Sequence, residues 1–300
     1  MLKLSVVLAV MLGFSATSLG APGCCSKPGA SGGKGTPGCS GSARCMLGTQ
    51  AYTFKEFTLF EAIDKAKQLG LEFIEIFPGQ RLSPELSDVK SNHEMPLSLI
   101  AKLKNKLDDA SLKALAYGVV RLDNDEAECR KVFDFAKVMG MTTITAEPPE
   151  EALPLIDKLA NEYRINVAIH NHPKPSHYWN PETVLKAIQG CGKRIGACAD
   201  TGHWVRSGLD PVECLKKLDG RILWSHFKDL NEKARDAHDV PWGTGVGNAK
   251  AQLAELCRQG FSGGVAVEYE YNWKHSVPEI AKCVAFFRAT CKELCAAKEK

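Results

Sequence analysis

Nine ionisable side chains fall at the ends of short apolar runs in this sequence. They are Glu75, Glu147, His170, His172, Asp200, His226, Lys228, Glu268 and Glu270, and His203 follows Asp200 by three residues. Carboxylates and imidazoles together make the mixed oxygen and nitrogen donor set that binds divalent Mn, Co, Zn or Mg. The same groups move protons near neutral pH. Each also has a plain structural reading. Asp200 suits a helix cap, His203 a satisfied buried histidine, and Glu147, before Pro148-Pro149, a solvated loop residue. Glu268 is harder to read as structural, because Gly264–Val267 leads straight into it and a carboxylate ending a buried run needs a partner. Joint placement favours chemistry, since independent accidents would not fall on the same end of successive runs.

The elements that must position these residues repeat a single rhythm from residue 46 onward. Short runs apolar on both faces are the pattern of parallel strands covered by helices. The strand candidates are Leu47–Tyr52, Phe73–Phe77, Ala114–Val120, Thr142–Ala146, Asn166–His170, Ile195–Asp200, Ile222–Phe227 and Val265–Tyr269. Cap signals mark the helices between them. Thr58 with Glu61 is a capping box, Gly70 and Gly140 are stops, and Asn180-Pro181 and Asp210-Pro211 are caps followed by proline at the first helical position. Asn124 is a further start, and helices are expected near Leu97–Leu107, Glu150–Glu162, Asn248–Gly260 and from Ser276. Eight such units in roughly 250 residues predict an α/β fold, a (β/α)8 TIM barrel over residues 46–298. A doubly wound open sheet is the competing architecture. No glycine-rich phosphate loop follows the first strand, as a dinucleotide-binding sheet would require.

The chain has 300 residues, 44% hydrophobic and 24% charged, with 38 Lys and Arg against 35 Asp and Glu. A net charge of +3 gives no argument for a nucleic-acid partner or an anionic membrane. Lys3 followed by the apolar stretch Leu4–Phe14 and the small residues before Ala21 predict a signal peptide over residues 1–20 and hence export, to a periplasmic or extracellular location. That run is too short to span a bilayer, and no later one is longer, so no transmembrane segment is expected. Residues 21–45 are a Gly-, Ser- and Cys-rich leader whose composition predicts a flexible tether. Its Cys24, Cys25, Cys39 and Cys45 lack metal-knuckle spacing, and the residues before Cys24 make a poor lipobox. Cys291 and Cys295, four apart on a predicted helix, suit neighbours on one face more than a bridge.

Four short motifs occur in order: Ala199-Asp200-Thr201-Gly202-His203-Trp204, His226-Phe227-Lys228-Asp229, Asp239-Val240-Pro241-Trp242-Gly243-Thr244-Gly245 and Val267-Glu268-Tyr269-Glu270. This series resembles the sugar phosphate isomerase/epimerase group of the xylose-isomerase-like superfamily, over about residues 46 to 290. The resemblance implies one divalent ion, Mn, Co, Zn or Mg, with Asp200, His226 and Glu268 as ligands. The family's fourth ligand is a glutamate at an earlier strand end. This chain has His170-Asn171-His172 on its fifth strand, so Glu147 is the expected fourth ligand, with His170 the alternative. The implied reaction is isomerisation or epimerisation of a free or keto sugar through an enediolate. Glu147 and Glu268 are the expected proton carriers, and Lys228 the expected oxyanion stabiliser. His203 is a further proton carrier, and His170, His172 and Trp242 are expected to contact the sugar. A packed loop anchor is the other reading of Trp242. Lyase, hydratase or dehydratase chemistry on a 3-keto-glycoside is the alternative outcome. A sugar-binding barrel without chemistry is the second. The related endonuclease branch needs further histidines on the early strands, which end here in Tyr52, Phe77 and Val120-Arg121.

Overall fold

The computed structural model describes residues 45–298. The expected signal peptide, the leader up to residue 44 and its Cys24, Cys25 and Cys39 lie outside the described residues. Among the described residues, no helix is long and apolar enough to cross a membrane.

Eight parallel strands close into a barrel: β1 (Met46–Gln50), β2 (Phe73–Ile76), β5 (Lys113–Val120), β6 (Thr143–Ala146), β7 (Asn166–His170), β8 (Ile195–Asp200), β9 (Ile222–Phe227) and β10 (Gly264–Val267). They follow one another around the barrel in chain order, with β10 pairing back onto β1. The short hairpin β3 (Arg81–Ser83) and β4 (Leu86–Lys90) is inserted after β2 and was not expected from the sequence. Its residues carry no clear alternation. It is held instead by backbone hydrogen bonds between Gly79 and Ser91 and between Ser91 and Gln80.

The outer helices are α1 (Leu59–Gln68), α2 (Leu97–Ala110), α3 (Glu126–Met139), α4 (Leu153–Tyr163), α5 (Pro181–Ala187), α6 (Thr201–Arg206), α7 (Pro211–Lys217), α8 (Ala249–Arg258) and α9 (Val277–Lys298). The Thr58–Glu61 capping box is formed in full. Helix α3 starts one residue later than expected, because the Asp125 carboxylate accepts from both Ala127 N and Glu128 N. Helix α6 has no counterpart in the expected series and places His203 directly after β8. Cys291 is free and Cys295 is disulfide-bonded, so the two do not bridge each other.

Strand period two sends alternate side chains into the barrel. Phe73, Leu115, Ala116, Ala168, Cys198, Trp224 and Ala266 form an apolar layer inside it. Five of these stand two residues before Glu75, His170, Asp200, His226 and Glu268. The chemistry-bearing residues are therefore the next inward layer, toward the C-terminal mouth. The larger apolar cluster packs the helices on the outside of the strands.

Candidate metal centre

His170, Asp200, His226 and Glu268 come from four consecutive strands and are all buried. Each offers one donor atom, and these atoms lie within 4.8 Å of one another. Donors about 2.1 Å from a shared tetrahedral ion would stand roughly 3.4 Å apart, close to the shorter separations within this group. Two nitrogens decide the fit. His170 Nε2 and His226 Nδ1 are buried and have no hydrogen-bond partner. His170 Nε2 is 3.6 Å from Asp200 Oδ2, and His226 Nδ1 is 3.3 Å from Glu268 Oε2. Leaving such atoms unpaired costs about 1–3 kcal/mol each, which a bound cation would recover.

Asp200 serves both of the roles its position allowed. Its Oδ1 caps α6 by accepting from His203 N at 2.7 Å, while its Oδ2 faces the cluster. Lys228 Nζ donates to Asp200 Oδ2 and Glu268 Oε2, both at 2.6 Å, and lies 3.1 Å from Glu270. A carboxylate oxygen has two lone pairs, so these contacts leave capacity for a cation. Burial opposes ionisation of Asp200, but His203 and Lys228 outweigh it and hold the carboxyl well below its usual range. Burial likewise opposes ionisation of Glu268, and the Lys228 ammonium outweighs it. Gly202 makes room for the lysine stem, since a Cβ there would stand 2.7 Å from Lys228 Cβ and Cδ.

Glu147, the expected fourth ligand, stands outside the four-residue group. Its Oε1 lies 3.0 Å from His170 Nδ1 and 2.5 Å from His172 Nδ1 and accepts from His172 N, while Ser176 Oγ donates to Oε2. Glu147 instead forms a second group with His170 and His172, whose donor atoms also lie within 4.8 Å of one another, and it meets the Nδ1 side of His170. His172 is half exposed. Glu147 also borders a cavity of about 720 Å³ together with Arg121, Glu150, His177 and Tyr178. His203 Nδ1 is 3.1 Å from Arg206 Nη1, and burial holds this imidazole well below its ordinary range. Its ring and that of His226 both stand close to His170, at centroid distances of 5.7 and 5.0 Å.

Trp242 is not at the mouth. It is buried against Phe227, with ring centroids 4.5 Å apart, and its amide donates to Cys283 Sγ. The expectation of sugar stacking is corrected to a packed loop anchor. The surrounding motif is structural as well: the buried Asp229 carboxylate accepts from Gly243, Gly245 and Gly247 amides and so folds the loop.

Two participants have no role in the sequence reading. Arg206, on α6, donates to Glu270 and Asp239 at 2.9 and 3.2 Å. Its spacing of three from His203 was the available signal. Glu75, on the far side of the barrel, is fully buried and accepts from Thr145 Oγ1, Trp224 Nε1 and His226 Nε2.

A sequence profile described as xylose isomerase-like TIM barrel matches residues 63–290. The chain belongs to this family. A protein from Parabacteroides distasonis ATCC 8503 shares 36% identity and a TM-score of 0.67, covering 82% of this chain and 99% of that one. A D-tagatose 3-epimerase-like protein, 18% identical, covers 85% and 100% with a TM-score of 0.65 and shares the fold. Inosose dehydratase 2 of Bacillus cereus is 30% identical over 87 residues, 29% of this chain and 29% of its own. That match thus spans less than a third of the relative. Epimerases and dehydratases both occur among the proteins this xylose isomerase-like barrel resembles.

Proposed function

We propose that this barrel is a divalent-metal-dependent enzyme that removes the proton beside a carbonyl of a free or keto sugar, with isomerisation or epimerisation as the net reaction. The observation that carries the reading is the pair of buried, unpartnered imidazole nitrogens facing two ionised carboxylates. His170, Asp200, His226 and Glu268 would hold the ion. Two nitrogens and two oxygens suit Mn, Co or Zn better than Mg, which favours oxygen alone. When bound, the ion supplies a Lewis acid that polarises the carbonyl and acidifies the adjacent C–H.

The protein's own groups supply the rest. The ionised Glu147 fixes the His172 ring through its Nδ1 at the half-exposed mouth, which leaves Nε2 as the nitrogen that would exchange a proton with substrate. His203 turns its Nδ1 acceptor to Arg206 and its Nε2 toward Asp200 Oδ2, 3.5 Å away, so it lines the ion position from beside Asp200. Lys228, its three donors taken by three carboxylates, sets the charge of the centre rather than meeting an oxyanion as the sequence had suggested. Lys228 and Arg206 are both paired to carboxylates, which disfavours a phosphate and favours an unphosphorylated sugar.

Elimination of a β-hydroxyl or glycosyl group is the second reading, and the local match to an inosose dehydratase favours it. Both begin with the same proton removal. The test is elemental analysis of purified wild type and Asp200→Ala, followed by a keto-sugar screen in deuterated water read by mass spectrometry. About one equivalent of ion lost in the variant, with deuterium entering a product of unchanged composition, supports the epimerase. Loss of one water or of the aglycone supports the lyase. Absence of metal and of exchange in the wild type would sink both and leave a binding barrel.

A further inference from the structure

Glu75 stands opposite the four candidate ligands, at the end of β2, and touches none of the substrate-facing groups described above. It is nevertheless fully buried, and a buried carboxylate is costly unless its oxygens are satisfied. Three donors meet it. Thr145 Oγ1 donates to Oε1 at 2.6 Å, Trp224 Nε1 to Oε2 at 2.6 Å, and His226 Nε2 lies 2.8 Å from Oε2.

The chemistry of these partners fixes where hydrogens sit. An indole nitrogen only donates. Glu75 Oε2, which meets that donor, is thereby an acceptor at the point where His226 Nε2 also reaches it. His226 Nε2 must therefore carry a hydrogen, and a neutral ring then has its lone pair on Nδ1. That nitrogen is the buried, unpartnered one beside Glu268. Trp224 and His226 are two apart on one strand, so a single carboxylate reaches both from across the barrel. Thr145, from β6, holds the other oxygen and stops the carboxylate from rotating.

We infer that Glu75 is a positioning residue that locks His226 in the Nε2–H tautomer and aims Nδ1 at the cation position, working through a Thr145–Glu75–Trp224 clamp. Glu147 makes the corresponding contact to His170 Nδ1, so each candidate imidazole ligand has a carboxylate behind it. Such partners orient the ring and raise its basicity, and their loss costs about 10–100-fold in metal affinity. This inference rests on the proposed metal centre. It makes a prediction about the metal-free protein as well, so the two can fail separately.

The experiment compares wild type, Glu75→Gln and Thr145→Val. Nitrogen-15 NMR of the metal-free proteins, titrated with alkali until the His226 ring is neutral, reads its tautomer. Competition with a zinc-binding dye reads affinity. The expected wild-type spectrum shows a hydrogen on Nε2 and a bare Nδ1. Glu75→Gln should lose that preference and bind Zn about 10–100-fold more weakly. Thr145→Val keeps the side-chain volume and should move both readouts the same way by less, so it carries the test if Glu75→Gln does not fold. A wild-type ring with its hydrogen on Nδ1 overturns the inference. So does a folded Glu75→Gln with unchanged tautomer and affinity, even if its melting temperature falls. A wild type with the expected tautomer that binds no metal would leave the clamp standing and sink the metal reading instead.

Discussion

The two halves of the barrel mouth are built from the same geometry and carry different chemistry. On β7 to β10 the inward position nearest the mouth is His170, Asp200, His226 or Glu268. On β1, β2, β5 and β6 the equivalent layer holds Gln50, Glu75, Gly118 and Thr145. Those residues bond chiefly to one another and to the far half: Gln50 Nε2 donates to Gly118 O, and Thr145 Oγ1 to Glu75. Gly118 must be glycine, with a φ of +154° and no space for a Cβ, which would stand 2.1 Å from Thr145 O. At this layer one half is open, presenting unpaired donor atoms, and the other is closed, pairing its polar groups with one another and with Trp224 and His226. The lesson is that a symmetric fold localises function by leaving valence unsatisfied on one side only.

The sharpest way to break this comparison is to remove charge from the open half. Glu268→Gln should abolish proton exchange and metal binding while leaving the far-UV circular dichroism spectrum unchanged, because Lys228 keeps Asp200 and Glu270 as partners. Retained exchange with bound metal would show that Glu268 is not part of the centre. The matching change in the closed half is Phe133→Ala on α3. Phe133 is fully buried beside Tyr163, so truncation should cost about 3–5 kcal/mol in urea unfolding. Turnover per folded molecule should stay at the wild-type value. A fall in specific activity of the folded fraction would erase the division of labour between the halves.

This division also explains what could be read from the sequence. All eight barrel strands and most caps were legible, because two-sided burial and capping chemistry are local signals. Asp200, His226 and Glu268 were legible because each closes an apolar run. His170 and Glu147 were named as alternatives for one role, and sequence has no term for how far each reaches past the layer. In the structure both join candidate groups, Glu147 Oε1 meeting His170 Nδ1 while His170 Nε2 faces Asp200. Trp242 was read as a sugar platform because indole is amphipathic, and only the packing of Phe227 and Cys283 around it shows otherwise. Glu75 gave no role, since its partners Thr145 and Trp224 are far away in the chain and meet only when the barrel closes.

The smallest effect sharpens the comparison at the edge of the open half. Asp239 is buried beside Arg206 and the Glu270 amide, yet its Oδ1 has no partner. Burial pushes its carboxyl up to about 7, against the pull of the Lys228 and Arg206 charges. In the unfolded chain an aspartate ionises near about 3.9. Between those values the unfolded chain gives up the proton while the folded protein keeps it. Raising the pH across that window therefore favours unfolding, by at most about 1.4 kcal/mol per pH unit from this group. Asp239→Asn presents a neutral side chain of the same shape at every pH, so it should flatten the fall in urea-measured stability from about pH 4 to about pH 7. Parallel slopes for the two proteins would mean that Asp239 is already ionised in the fold. The open half would then carry one more charge, and Arg206 would be a true counterion rather than a scaffold for Glu270 and His203.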